Sequence, residues 1–171
     1  MLRVRPYKSC DANKIVSWMK DEYEFHQWCA DRFEVFPITA QMLNRFYDGM
    51  AENDTCWQMT AFDESGVVGH FTMRFMDAAK KAVRFGFVIV SDELRKRGIG
   101  KEMMQLGITY AFTILKVEKI TLGVFENNPN AYQCYRSVGF EECSKRRDNY
   151  LICGEIWKCI EMELSYRNWK V

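Results

Sequence analysis

Val90-Ser91-Asp92-Glu93-Leu94-Arg95-Lys96-Arg97-Gly98-Ile99-Gly100-Lys101 decides how this chain folds. An apolar run, Phe85 to Val90, feeds a basic, glycine-punctuated turn, and a long apolar helix pattern follows. The turn therefore sets free backbone N–H groups at a helix N-terminus, with the positive end of the helix dipole behind them. Two glycines let the backbone approach a ligand closely, because no Cβ intervenes. Such a corner suits a diphosphate. Arg95, Arg97 and Lys101 add mobile positive charge around it.

A second stretch lies downstream: Asn128-Pro129-Asn130-Ala131-Tyr132-Gln133-Cys134-Tyr135-Arg136-Ser137-Val138-Gly139-Phe140. Arg95-Lys96-Arg97-Gly98-Ile99-Gly100 resembles the R/Q-x-x-G-x-G/A signature of the GNAT superfamily, the acyl-CoA-dependent N-acetyltransferases. The downstream stretch is similar to that family's second signature, N-x-x-A-x-x-x-Y-x-x-x-G-F. The two occur in the family's order and at its spacing.

The resemblance implies an α/β fold: antiparallel strands, then a splayed parallel pair, with helices on both faces of a mixed sheet. Acetyl-CoA would lie in the opening. Backbone groups of Val88 and Val90 would pair with pantetheine. Arg95, Lys96, Arg97, Gly98, Ile99, Gly100 and Lys101 would hold the diphosphate. Asn128 would contact the pantetheine arm, and Tyr135 would sit beside the thioester sulfur. The chain departs from the family at Asp92, where many relatives carry proline; this leaves the turn less stiff and sets a negative charge near the corner.

The 171 residues read as one domain spanning residues 1–171, long enough to bury most of its apolar surface. Net charge is +1 with 27% charged residues, so no global field favours nucleic acid or a membrane. Basic character is local, at residues 95–101 and at Lys145-Arg146-Arg147, and the latter reads as a solvated turn. Seven cysteines are scattered without a C-x-x-C pair, and neither His26 nor His70 joins them in a ligand cluster. Reduced thiols in a cytoplasmic protein without a metal are expected. No apolar run has signal-peptide or membrane-spanning length.

Along the chain, Leu2 to Val4 reads as a strand stopped by Pro6. Asp11 is a candidate N-cap for a helix with Ile15, Trp18 and Met19 on one face. Asp21 to Ala30 forms a second helix, and Thr39 caps a third carrying Met42, Leu43, Phe46, Tyr47 and Met50 at helical spacing. Cys56 to Phe62 and Val67 to Met76 form a hairpin, and Ala82 to Val90 adds a third antiparallel strand. The helix from Gly98 to about Lys116 has two apolar rows, so it is either widely buried or meets a second copy in a homodimer. Lys119 to Phe125 is the next strand, parallel to the third; a helix ended by Gly139 and two more strands complete the chain.

Transfer of an acetyl group to an amine needs a neutral nitrogen, a polarised carbonyl and a proton for the departing thiolate. The Tyr135 phenol, with an ordinary pKa of about 10, arrives protonated at neutral pH. Ala131, Cys134, Tyr135 and Val138 also share one helix stripe, which a core position explains as well. A backbone N–H of Phe87-Val88-Ile89 would face the carbonyl oxygen, with Gly86 marking a kink that frees it. Some relatives place a general-base glutamate where Gly123 stands here. Glu126 is the nearest carboxylate downstream and His70 reads as an ordinary strand residue, so water and backbone carbonyls are the alternative proton route.

Tyr23, Phe25, Trp28, Asp31, Tyr150, Glu155 and Trp157 are candidates for the acceptor side, the acids attracting a cationic amine and the rings stacking on it. The expected acceptor is a primary amine on a small molecule or peptide: a protein N-terminus, an amino acid, a polyamine or an antibiotic. A CoA-binding sensor without turnover is the alternative.

Overall fold

The computed structural model describes residues 1–51 and 55–169, and the side chains of all of these except 51 and 144–147. The Lys145-Arg146-Arg147 cluster thus has its side chains outside the described residues.

Four strands open the sheet: β1 (Arg3–Pro6), β2 (Cys56–Asp63), β3 (Gly66–Phe75) and β4 (Ala82–Val90). Three more follow: β5 (Lys119–Phe125), β6 (Glu141–Ile152) and β7 (Glu155–Ser165). They form one seven-stranded sheet in the order β1-β2-β3-β4-β5-β7-β6. All neighbours are antiparallel except β4 and β5, whose connection passes through a helix, as a parallel crossover requires. Pro6 does not stop β1; it is the strand's last residue, paired with Met59, and an edge strand tolerates the missing N–H.

Helices cover both faces. On one lies α4 (Ile99–Thr113), with α5 (Pro129–Ser137) beside it. Most of the two apolar rows of α4 sinks into one core with Phe71, Phe85, Ile120 and Met162, while Ile114 at the end of the helix stays exposed. Gly107 lets α4 come close: a Cβ there would stand 2.9 Å from the Phe71 ring.

On the opposite face α1 (Ala12–Val16), α2 (Glu22–Cys29) and α3 (Ala40–Ala51) form a second core with Phe87 and Ile89. Asp21 caps α2 through the Glu24 N–H at 2.8 Å, and Thr39 caps α3 through Met42 at 3.2 Å. Asp11 departs from its expected role. Its carboxylate makes no cap bond to α1; it takes both Arg5 guanidinium nitrogens at 2.7 and 2.8 Å, the Thr60 hydroxyl at 2.9 Å and the Lys8 N–H at 2.9 Å. Trp18 and Met19 are buried as expected but lie beyond the end of α1.

Candidate active site

β4 and β5 pair only at Ala82–Lys119, Val83–Ile120 and Arg84–Thr121; beyond these, no pair joins them among the described residues. A bulge sets the separation. Gly86 faces Thr72 and Ile89 faces His70, so Phe87 and Val88 stand together opposite Phe71 alone. The kink is centred on Phe87, with φ of +49°, and not on Gly86 as the sequence suggested. The strand changes phase here: Val83 and Phe85 before the bulge, but Val88 and Val90 after it, join the core under α4, while Phe87 and Ile89 join the opposite one, so Phe87 and Val88 line different cavities.

The larger cavity, about 540 Å³, runs from the opening to the N-terminus of α4. Val88 and Val90 line it from β4, and Asn128 and Tyr135 from the start and middle of α5. Arg95, Lys96, Gly98, Gly100 and Lys101 complete its basic end. Arg97, Ile99 and Glu126 are not on this wall; Glu126 is exposed past the end of β5.

The basic corner is built by backbone conformation. Lys96 (φ +63°) and Gly98 (φ +84°) both adopt the left-handed region, curling the chain into α4. Gly98 occupies the N-cap position and no side chain caps this helix, unlike α2, α3 and α5. The first-turn N–H groups of Ile99, Gly100 and Lys101 therefore have no intrahelical acceptor.

Arg95 is not the mobile cation expected. Its guanidinium donates to the Glu24 carboxylate at 2.9 Å, the Trp18 carbonyl at 3.1 Å and the Val90 carbonyl at 3.5 Å, tying the loop to α2. Asp92 is likewise engaged: Lys20 pairs with it at 3.0 Å and holds its carboxyl below the usual carboxylate range.

Tyr135 belongs to the core cluster and also lines the cavity, so its two readings describe one position. It is 6% exposed, and burial pushes its phenol well above the ordinary value, with Cys134 adding to the effect. It therefore keeps its proton throughout the neutral range.

The second cavity, about 220 Å³, lies across the bulge. Gln27 and Trp28 line both cavities, so α2 spans their junction. Of the candidates for the acceptor side, Trp28 and Tyr150 line this space; Tyr23, Phe25, Asp31, Glu155 and Trp157 do not. Phe25 is fully buried in the second core, and Tyr23 packs on Trp157 with ring centroids 4.9 Å apart.

Residues without a local sequence signal line this cavity too, Arg74 and Arg84 among them. Arg84 forms a two-pronged pair with Glu161, 77 residues away, one contact being Nη2 to Oε2 at 3.1 Å. Gly123 faces Glu161 across the β5–β7 ladder, and a Cβ on Gly123 would lie 2.8 Å from Arg84 Nη2 and 2.8 Å from Cys159 Sγ. The space that a side chain at position 123 would need is thus taken by the Arg84 guanidinium and the Cys159 thiol.

His70 is buried on the helical side of β3, 2.6 Å from the Tyr47 hydroxyl, and burial pushes its imidazole down to about 3. It lines neither cavity. One cluster contradicts the expectation that no histidine joins a cysteine. The β6–β7 turn brings Cys153 to α2, where Glu22, His26 and Cys153 place donor atoms within 4.8 Å of one another.

The chain belongs to the GNAT family: the profile of the Acetyltransferase (GNAT) family matches residues 13–140. Two curated relatives place it further. Acetyltransferase PseH of Campylobacter jejuni is 26% identical over 109 residues, 64% of this chain and 66% of that protein. Spermidine N(1)-acetyltransferase of Vibrio cholerae is 24% identical over 127 residues, 74% of this chain and 71% of that protein. The crystal structure of spermidine N-acetyltransferase from Vibrio cholerae in complex with CoA and spermine superposes with a TM-score of 0.82 at 20% identity, covering 98% of this chain and 96% of that one. At that identity the likeness establishes the fold.

Proposed function

We propose that this GNAT acetyltransferase, as a single-domain enzyme, moves the acetyl group of acetyl-CoA onto the primary amine of an acceptor that enters through the smaller cavity. The observation that carries the reading is the uncapped N-terminus of α4 at one end of a 540 Å³ cleft whose other end reaches Tyr135. The chain's residues fit the co-substrate. Free N–H groups of residues 99–101 and the Lys96 and Lys101 ammoniums suit a diphosphate. The β4 backbone at Val88 and Val90, with no β5 pair among the described residues, suits the amide groups of pantetheine.

Acetyl-CoA supplies an activated thioester. The bulge turns backbone of residues 87–89 toward the junction, where an N–H stabilises charge developing on the carbonyl oxygen. The acceptor nitrogen bonds to the acetyl carbon as the C–S bond breaks. Tyr135 gives its proton to the departing sulfur, and the new amide nitrogen loses its own to water. Glu126 lies on neither cavity wall, in the loop between the wall residues Phe125 and Asn128, and as a base it would act through water. Tyr135 on the cleft wall favours turnover over passive sensing.

The test is thiol release from acetyl-CoA across amines, amino acids, peptides and aminoglycosides. Release with any acceptor, matched by its acetylated product, is expected. A CoA-dependent thermal shift with no release on the whole panel would establish a sensor instead.

A further inference from the structure

The smaller cavity has a charge pattern opposite to that expected of a polyamine site. Arg32, Arg74 and Arg84 line it, and no aspartate or glutamate does among the described residues. The remaining wall near the bulge is aromatic, with Trp28, Phe46 and Phe87. We propose that the acceptor is a primary amine that also bears an anionic group, a carboxylate or a phosphate, held by Arg74 and Arg32. This rests on the transfer reading above and narrows it.

The three guanidiniums are not equivalent. Arg84 is matched by Glu161, which stands behind the wall, so that pair contributes little net charge. Arg32 has Asp31 at 4.0 Å, but the two side chains are 59% and 60% exposed, and such a pair is worth about 0–1 kcal/mol. Arg32 is therefore available to a ligand. Arg74 is exposed at the cavity edge and forms no ion pair among the described residues. Burial raises the Tyr150 phenol, with Cys159, Asp148 and Asp31 adding to the effect, yet neither aspartate is on the wall.

A polycation entering here would carry ammonium groups past guanidiniums with no carboxylate on the wall among the described residues, a like-charge contact that disfavours binding. An anionic group meets the reverse situation: a planar donor fork suited to carboxylate or phosphate. The same field serves the chemistry. Nearby positive charge disfavours the ammonium form of the acceptor, lowering its pKa and raising the neutral, nucleophilic fraction. This supplies what the missing glutamate at Gly123 would otherwise provide.

The experiment compares kcat/KM by thiol release within two matched pairs: L-phenylalanine against phenethylamine, and O-phosphoethanolamine against ethylamine, with spermidine alongside. The acid-bearing member is expected to lead by about tenfold or more in at least one pair; the pair that responds identifies carboxylate or phosphate. Arg74→Gln should erase most of that lead through KM, and Arg74→Glu should move preference toward spermidine. Thiol release that is equal or greater with the members lacking the acid group or with spermidine in the unaltered protein overturns this inference while leaving acetyl transfer in place. No release with any of these amines overturns both.

Discussion

The Gln27 side-chain amide donates to the Asn127 carbonyl at 2.8 Å, joining α2 to the loop that enters α5. Gln27 also borders both cavities, so this bond fixes the helix that bridges them. A side-chain hydrogen bond of this kind contributes about 0.5–1.5 kcal/mol. Gln27→Ala is expected to raise KM for acetyl-CoA and acceptor by about 2–10-fold and to lower the melting temperature by only a few degrees. Steady-state kinetics beside a thermal melt checks this.

Tyr135→Phe removes a proton and little volume. It should lower kcat by about 10²-fold while CoA affinity, measured by calorimetry, stays near normal. Because burial raises the phenol's pKa, its protonated, competent form persists through neutral and mildly alkaline pH. Activity should show no alkaline loss attributable to this group below about pH 10. Full activity in the variant would leave Tyr135 with a packing role alone.

Gly98 separates backbone from charge. A Cβ there meets nothing within 4 Å, so bulk is not the obstacle; φ of +84° is. Gly98→Ala should cost about 1–2 kcal/mol of stability and leave CoA affinity within a few-fold. Gly98→Asp carries the same strain plus a negative charge facing the diphosphate position, and CoA affinity should fall more than about tenfold. Equal affinities in the two variants would refute the assignment of this corner.

His70 makes stability depend on pH. Its folded pKa lies near 3, below the ordinary value of about 6.5. Above 6.5 both states are neutral and stability is full. As pH falls below 6.5 the unfolded chain gains a proton that the folded chain refuses, and stability drops by about 1.4 kcal/mol per unit until pH 3. Melting temperatures of the wild-type protein should decline between pH 6.5 and 5, and those of His70→Gln should decline less. The Asp11 carboxyl acts lower. Burial alone would raise it, but hydrogen bonds from Arg5, the Lys8 N–H and Thr60 outweigh burial and hold it below its usual value. Its contribution is present above about pH 4 and is lost on further acidification.

The cofactor side was legible in the sequence because its determinants are local. The turn at residues 95–101, the alternation of Ala82 to Val90 and the capped helix at Asn128 each announce themselves within about a dozen residues. The acceptor side is assembled from distant segments. Arg84 and Glu161 meet through the β5–β7 pairing, and Cys153 reaches His26 only because β7 enters the sheet between β5 and β6. Asp11 was misread for a related reason: a polar residue before a short helix looks like a cap, and only the sheet places Arg5 and Thr60 against it. Asp31 and Glu155 are likewise close in sequence to residues of the smaller cavity yet lie off its wall, a placement that the tertiary fold decides.

The bulge at Phe87 and Val88 carries one residue more than its partner strand needs. Without Phe87, Gly86 would still face Thr72, Val88 would face Phe71 and Ile89 would face His70, in unbroken alternation. Ile89 would stay among the helices α1–α3 and Val90 on the side of α4. A single-codon deletion of Phe87 is thus expected to leave the sheet intact and to straighten the bend that parts its two cavities.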